Sequence, residues 1–297
     1  MTLRLATRRS PLAVAQATAV RDMCRREGWD AELVLVDTHG DRHADVALSE
    51  IAGQGVFAVE VQRAVLDGRA DMAVHSAKDL PSLTPSDLIF AAVPERRDPA
   101  DVLVGRALAG LGPGATVATG SPRRRALLAE RRPDLTFVEL RGNMATRLAA
   151  VEKSGIDAVV AAAAALERLG WSDRVAERLD PEWCIPQVGQ GALALEVRRG
   201  DDATLAVAQS INDATAFVCV TAERAFLAEL GAGCAIPAAA YATYDDGIVT
   251  LRGVMLSPDG TRVVRTTQSG DSATTVGELV ARQLRDELGG GELPPAR

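Results

Sequence analysis

Aromatic residues make up only 3% of this 297-residue chain, and just two of its 33 basic side chains, Lys78 and Lys153, are lysine. Two tyrosines and three tryptophans leave little to stack on bases, and 40 acidic against 33 basic residues, a net charge of −7, lack the basic footprint of a nucleic-acid binder. Nucleic acid is therefore not an expected partner. The four cysteines, Cys24, Cys184, Cys219 and Cys234, lie far apart with no paired spacing, which disfavours a zinc site or a disulfide framework, and no metal is expected. No run reaches the ~18 apolar residues of a membrane span. The segment Met1 to Pro11 has no apolar signal-peptide core, so a cytoplasmic protein without a membrane partner is expected.

What the chain does have is a globular composition, 47% hydrophobic and 25% charged. Its length implies two or three domains. Its positive charge is almost all arginine, whose planar fork suits carboxylates and phosphates, although mutational bias also produces such a skew. The places where arginines fall must decide between the two.

Strand and helix patterns alternate from the start: a strand over Leu3 to Thr7, a helix from Pro11 to Glu27, a strand over Ala31 to Thr38, a helix over Phe57 to Leu66, and strands over Asp71 to His75 and Ile89 to Val93. This is the α/β rhythm of a mostly parallel sheet. Pro94 to Pro99 reads as a boundary, and a second series then runs through strands at Thr116 to Thr119, Thr136 to Leu140 and Ala158 to Ala161, with helices ending at Arg132 and spanning Ala145 to Lys153. Both series open alike, with Thr7-Arg8-Arg9-Ser10-Pro11 and Thr119-Gly120-Ser121-Pro122-Arg123-Arg124 each reading strand, Ser-Pro, helix. Serine caps a helix and proline suits its first position, so each turn leaves backbone N–H groups facing outward, a setting that attracts anions. Gly189 to Val197 reads as a strand returning to the first lobe. Asn212 to Leu230 then forms a helix, Tyr241 to Leu256 a hairpin around Asp245-Asp246-Gly247, and Thr275 to Leu288 a last helix before a tail expected to be disordered. The expected division is 1–94 with 190–209, 97–185, and a small α+β domain at 214–297.

Three segments carry chemistry. Arg123 to Arg147 holds seven arginines against three acidic residues, a local +4 in a chain of −7. Arg123, Arg124 and Arg125 cannot share one helix face, so some of them, with Arg131 and Arg132, are expected to be solvated. Arg141, after a strand and before Gly142, could line a cleft with Arg8, Arg123 and Arg147, and converging forks suit a ligand with several carboxylates or phosphates. In Val74-His75-Ser76-Ala77-Lys78-Asp79-Leu80-Pro81 a Lys-Asp pair follows a strand. It reads either as a surface ion pair or as a group that stabilises a developing cation or moves protons. His75 reads as a satisfied core histidine. Cys234, in Gly231-Ala232-Gly233-Cys234-Ala235, has small neighbours, and a covalent role competes there with simple packing.

Six segments in register resemble the porphobilinogen deaminase (hydroxymethylbilane synthase) family: Ala6 to Ala13, Val74 to Pro81, Leu140 to Asn143 with Thr146 to Leu148, Val188 to Ala192, Thr221 to Ala225, and the Gly233-Cys234 loop. The resemblance implies two similar periplasmic-binding-protein-like α/β lobes around a cleft, with a C-terminal α+β domain carrying the cofactor cysteine. It implies a transferase that condenses four porphobilinogen molecules head to tail, releasing ammonia, to give the linear tetrapyrrole hydroxymethylbilane in porphyrin biosynthesis. It also implies a dipyrromethane cofactor held on Cys234 through a thioether, Asp79 and Lys78 as catalytic residues, and a monomer. Cofactor and substrate contacts implied by the matching motifs are Arg8, Ser10, Gln16, Lys78, Asp79, Thr119, Ser121, Arg123, Arg124, Arg141, Arg147, Arg168, Gln190 and Gly191. The chain departs from the family pattern at Gln54, Val59, Gly120, Ala235 and Ala239. The rival reading is a non-catalytic two-lobed polycarboxylate binder or sensor, which would need neither Cys234 nor Asp79.

Overall fold

The computed structural model describes residues 2–37, 58–140, 142–152, 155–231 and 236–295. They form two compact units, Met1–Arg97 with Gly191–Val220, and Asp98–Gln190 with Thr221–Arg297. The boundary expected between Pro94 and Pro99 falls at Arg97.

The first unit contains β1 (Leu3–Arg8), α1 (Pro11–Arg26), β2 (Ala31–Val36), α2 (Val59–Leu66), β3 (Met72–Ser76) and β4 (Leu88–Ala92). The second continues with β5 (Asp101–Gly105), β6 (Thr116–Ala118), α3 (Pro122–Arg131), β7 (Thr136–Val138), α4 (Met144–Ala149), β8 (Ala158–Ala162), α5 (Ala163–Arg168) and β9 (Val175–Arg178). The chain then adds β10 (Leu193–Arg198) and α6 (Asp202–Ser210) to the first unit. The unit boundary divides α7 (Ala214–Leu230); β11 (Ala238–Asp245), β12 (Ile248–Leu256), β13 (Val263–Gly270) and α8 (Ala273–Arg282) follow in the second unit.

The strand order β2-β1-β3-β10-β4 of the first sheet is matched by β7-β6-β8-β5-β9 in the second. In each, the fourth strand runs against the other four: β10 is antiparallel to β3 and β4, and β5 to β8 and β9. The sheets are therefore mixed, one strand short of the parallel arrangement the sequence suggested. Adjacent segments revealed the parallel β1–β2 and β6–β7 pairs, whereas the antiparallel partner comes from more than a hundred residues away in the first sheet.

Strands buried on both faces read as continuous apolar runs. In the first unit Leu5, Met72, Val74, Leu193 and Leu195 pack under Ala17, Val20 and Cys24 of α1, while Ala6, Ala73 and Leu88 meet Val61, Ala64 and Val65 of α2. In the second, Leu103, Val117 and Val160 pack against Leu127 and Leu128 of α3 and against Ala239, Val254 and Leu256 of the three-stranded sheet β11-β12-β13. This shared core joins 221–297 to 98–190 as one compact unit, with β11-β12-β13 and α8 forming the expected small C-terminal α+β part. Gly260, at φ 72°, allows the close approach: a Cβ there would lie 2.4 Å from Ala126 O of α3. Asp246 and Gly247, at φ 45° and 80°, close the expected hairpin as a two-residue turn whose twist matches its strands. The tail departs from expectation. Gly290–Glu292 make a 3₁₀ turn with Leu293 buried, because Gly290 fits against Leu284 and Met255 where a side chain would clash.

Candidate functional site

On the first unit, three elements converge at the carboxyl ends of β1 and β3, the edge where open α/β sheets bind ligands. Arg8 ends β1, and Ser10 caps α1 with its Oγ accepting the Ala13 N–H at 3.3 Å. Beyond β3, Ala77–Asp79 forms a 3₁₀ turn fixed by the Ala77 N–H donating to Ala192 O at 3.0 Å, where β10 begins. Arg8, Gln16, His75, Ser76 and Asp79 line one pocket, closed by Ala13, Ala58 and Val74. Asp79 is exposed there, Lys78 beside it is half-buried, and Gln16 is buried. Gly191, at φ 88°, accepts from Arg97 N at 3.2 Å. Three of the residues drawn from the sequence, Arg8, Gln16 and Asp79, thus line one opening, while Ser10 caps α1 and Lys78 precedes Asp79 in its turn.

The equivalent edge of the second unit is built alike. Ser121 caps α3 by accepting the Arg124 N–H at 3.4 Å, and Thr119 Oγ1 accepts the Ser121 N–H at 3.2 Å. Gly120 sits where a Cβ would come within 3.0 Å of Leu140 O. Asn143 caps α4, and Arg147 on that helix donates from Nε to Gly142 O at 2.9 Å. Arg168, half-buried, ends α5.

Arg125 and Arg131 face solvent, as expected of some of these arginines, with Arg131 over the Trp183 ring at 4.8 Å, whereas Arg123 and Arg124 are both buried. The reason is Asp101, fully buried at the start of β5. Its two oxygens lie 2.7 Å from Arg123 Nη2 and 2.8 Å from Arg124 Nη2. Gln190 donates to the same carboxylate at 2.8 Å and to Pro99 O at 2.7 Å, and the remaining forks reach Ile185 O and Val160 O. Burial alone would raise the Asp101 pKa, but the charges of Arg123 and Arg124 with the Gln190 hydrogen bond outweigh it and hold the carboxyl well below the usual range. The triad keeps one net positive charge under the α3 N-terminus.

Two further buried carboxylates escaped sequence reading. Glu223 of α7 accepts from Gly189 N at 2.7 Å and Ala242 N at 3.0 Å, fixing the turn before Gln190. Its signal was present in Thr221 to Ala225, but an acidic residue on an apolar helix does not announce which backbone it will cap. Glu196 sits behind His75. Cys234, Arg141, Gln54 and Ala235 lie outside the described residues. Among the described residues no group of three or more His, Cys, Asp or Glu could hold a metal ion.

Residues 3–206 match the family model described as porphobilinogen deaminase, dipyromethane cofactor binding domain, and residues 217–286 match the one described as porphobilinogen deaminase, C-terminal domain. The chain is 43% identical over 291 residues to the porphobilinogen deaminase of Syntrophotalea carbinolica, covering 96% of this chain and 92% of that one. It is 44% identical to that of Roseiflexus sp., covering 97% and 95%. Among solved structures it is similar to the methionine binding protein MetQ, at 12% identity and a TM-score of 0.45 over 73% of this chain and 92% of that one.

Proposed function

The chain belongs to the porphobilinogen deaminase family, and from that premise we propose how its residues join four porphobilinogen molecules head to tail into hydroxymethylbilane. The observation that carries the reading is the pocket in which the exposed Asp79 carboxylate stands with Arg8 and Gln16 at the strand ends.

The donor set fits the dipyrromethane cofactor. Its acetate and propionate groups need guanidinium, amide and backbone N–H donors, and the first unit offers Arg8, Gln16 and the α1 N-terminus, whose Ser10 cap engages the Ala13 N–H. Cys234 would hold the cofactor through a thioether, and when bound the cofactor would supply the first free pyrrole α-position for chain growth. Arg8, Ser10, Gln16 and Lys78 hold carboxylates in the first unit. In the second, Thr119, Ser121, Arg141, Arg147 and Arg168 do so, while Arg123, Arg124 and Gln190, buried around Asp101, contribute through the net positive charge of that cluster.

In each condensation the substrate's C–N bond breaks and its electron pair leaves with ammonia, so the methylene carbon becomes part of a cationic azafulvene. A fixed carboxylate lowers the barrier by stabilising the charge as it develops, the role read for Asp79, the exposed carboxylate of this pocket. The pyrrole α-carbon of the growing chain attacks, a C–C bond forms, and the α-hydrogen leaves as a proton. Asp79 is the group placed to receive it. Water ends the chain as the hydroxymethyl group. The protein is read as a cytoplasmic monomer, which cell fractionation and light scattering test.

Intact-protein mass and the Ehrlich colour reaction, on the purified chain and on Cys234→Ser, test this function. The chain is expected to carry the mass of two pyrrole units and to turn porphobilinogen into hydroxymethylbilane; Cys234→Ser is expected to do neither. A chain with no added mass and no product would sink the reading.

A further inference from the structure

Glu223 lies on α7 with no solvent exposure. Its Oε2 accepts from Gly189 N at 2.7 Å and its Oε1 from Ala242 N of β11 at 3.0 Å, and all three residues belong to the second unit. Two buried backbone N–H groups thus converge on one side chain. A carboxylate answers both, because each of its oxygens is an acceptor; glutamine, of the same shape, would turn an NH2 toward one of them and leave a buried N–H facing a donor. The two contacts lead to different parts of the molecule. Gly189, at φ 71°, sits in a turn closed by Gln190 N donating to Gln187 O at 2.9 Å. Gln190 in turn donates to Pro99 O and to Asp101, the carboxylate that holds Arg123 and Arg124. On the other side, β11 is an edge strand of its three-stranded sheet, and Glu223 takes up an N–H there. Helix α7 ends at Leu230 and β11 begins at Ala238, so one carboxylate joins the elements that precede and follow Cys234 in the chain.

We propose that Glu223 is a positioning residue for the condensation: it locks both flanks of the cofactor cysteine to the turn that carries Gln190, and so fixes the base on which the pyrrole chain grows relative to Gln190 and the Asp101 cluster. The proposal rests on the reading of Cys234 as the residue that bears the cofactor. Glu223 acts through the backbone it holds, and no bond is made or broken at its carboxylate.

Amide hydrogen exchange, cofactor uptake and steady-state kinetics are compared for wild type, Glu223→Gln and Gly290→Ala. The last controls for stability alone, since a Cβ at Gly290 would lie 2.5 Å from Leu284 O in the C-terminal tail. The Gly189 and Ala242 amides are expected to be protected in the wild type, and at least one of them to exchange about tenfold faster in Glu223→Gln. Glu223→Gln prepared without cofactor and then given porphobilinogen is expected to gain the mass of two pyrrole units more slowly than the wild type. Once loaded, and well below its melting temperature, it is expected to lose about 10- to 100-fold in kcat with KM within about threefold, the signature of misplaced rather than missing binding groups. Gly290→Ala is expected to melt lower and keep its kcat. Should Glu223→Gln not fold, Glu223→Asp, with both oxygens on a shorter stem, is measured by the same criteria and is expected to show the same losses in smaller measure. Wild-type exchange at both amides overturns the proposal, as does a loss of kcat that Gly290→Ala shares at an equal loss of melting temperature. A wild type with no added mass overturns the reading of Cys234 and this proposal with it; a loaded, active wild type beside an equally active Glu223→Gln overturns the proposal alone.

Discussion

Asp101 is stable in its burial only while both guanidiniums face it, because removing one partner of a buried ion pair leaves the other charge uncompensated. Asp101→Asn is expected to cost about 3–5 kcal/mol in urea unfolding at neutral pH. The sign with pH follows from its depressed pKa in the folded chain. The stabilisation is fully present above the unfolded carboxyl value of about 3.9 and is lost as pH falls through the folded value, so the gap between wild type and Asp101→Asn should narrow only in acid. A gap that stays constant in acid would remove the ion pair as its source. Burial pushes the Cys184 thiol up to about 12 and the Cys24 thiol up to about 11. Little thiolate exists at either near neutrality, and iodoacetamide treatment of the native protein at pH 8 followed by peptide mass mapping is expected to find both unmodified. Asp79 is exposed and makes no contribution to either core, so Asp79→Ala should melt with the wild type while porphobilinogen consumption collapses. Near-normal product from that variant would remove Asp79 from the chemistry.

Helix α8 lies against α7 through Gly277, where a Cβ would meet Ala222 O at 2.3 Å and Ala225 Cβ at 2.8 Å. Neither atom is the end of a flexible side chain. Gly277→Val is therefore expected to destabilise by several kcal/mol through overpacking, about 1–3 for an ordinary misfit and more against backbone, read as a lower urea midpoint. An unchanged midpoint would mean that α8 shifts freely on α7. Elements set by neighbouring residues were the legible ones: the Ser10-Pro11 and Ser121-Pro122 helix starts, the Asp246-Gly247 hairpin, and the repeat of strand, turn and helix that turned out to be two sheets of identical order. Strands β5 and β9 were not legible, because short segments next to a proline-rich boundary or a 3₁₀ turn become strands only by pairing with each other and with β8. The site divides in the same way. Arg8, Gln16 and Asp79 were found from motifs and meet in one pocket, whereas the roles of Asp101, Glu196 and Glu223 depend on partners 19 to 134 residues away, a relation that no local pattern encodes.

The net charge of −7 and the arginine skew find different explanations once side chains are placed. Many arginines, including Arg132, Arg178, Arg265 and Arg285, sit in exposed or half-exposed pairs with Asp or Glu, where each contributes little. A mutational origin is enough for those. Arg8, Arg147 and Arg168 stand at strand or helix ends around the proposed binding edges, and for them a polycarboxylate is a physical reason. Such a ligand has a consequence for stability that the surface pairs do not. A group that binds only the folded chain stabilises it by mass action, and a covalently held group is always at saturating local concentration. The form carrying dipyrromethane should therefore melt higher than Cys234→Ser purified without it, and should resist protease longer. Salt distinguishes the source, since added salt weakens exposed charge pairs in both forms alike and leaves the difference between the forms to the cofactor's own contacts. Equal melting temperatures for the two forms, with the mass difference verified, would mean that these arginines do not hold the cofactor's carboxylates and that their positions need another explanation.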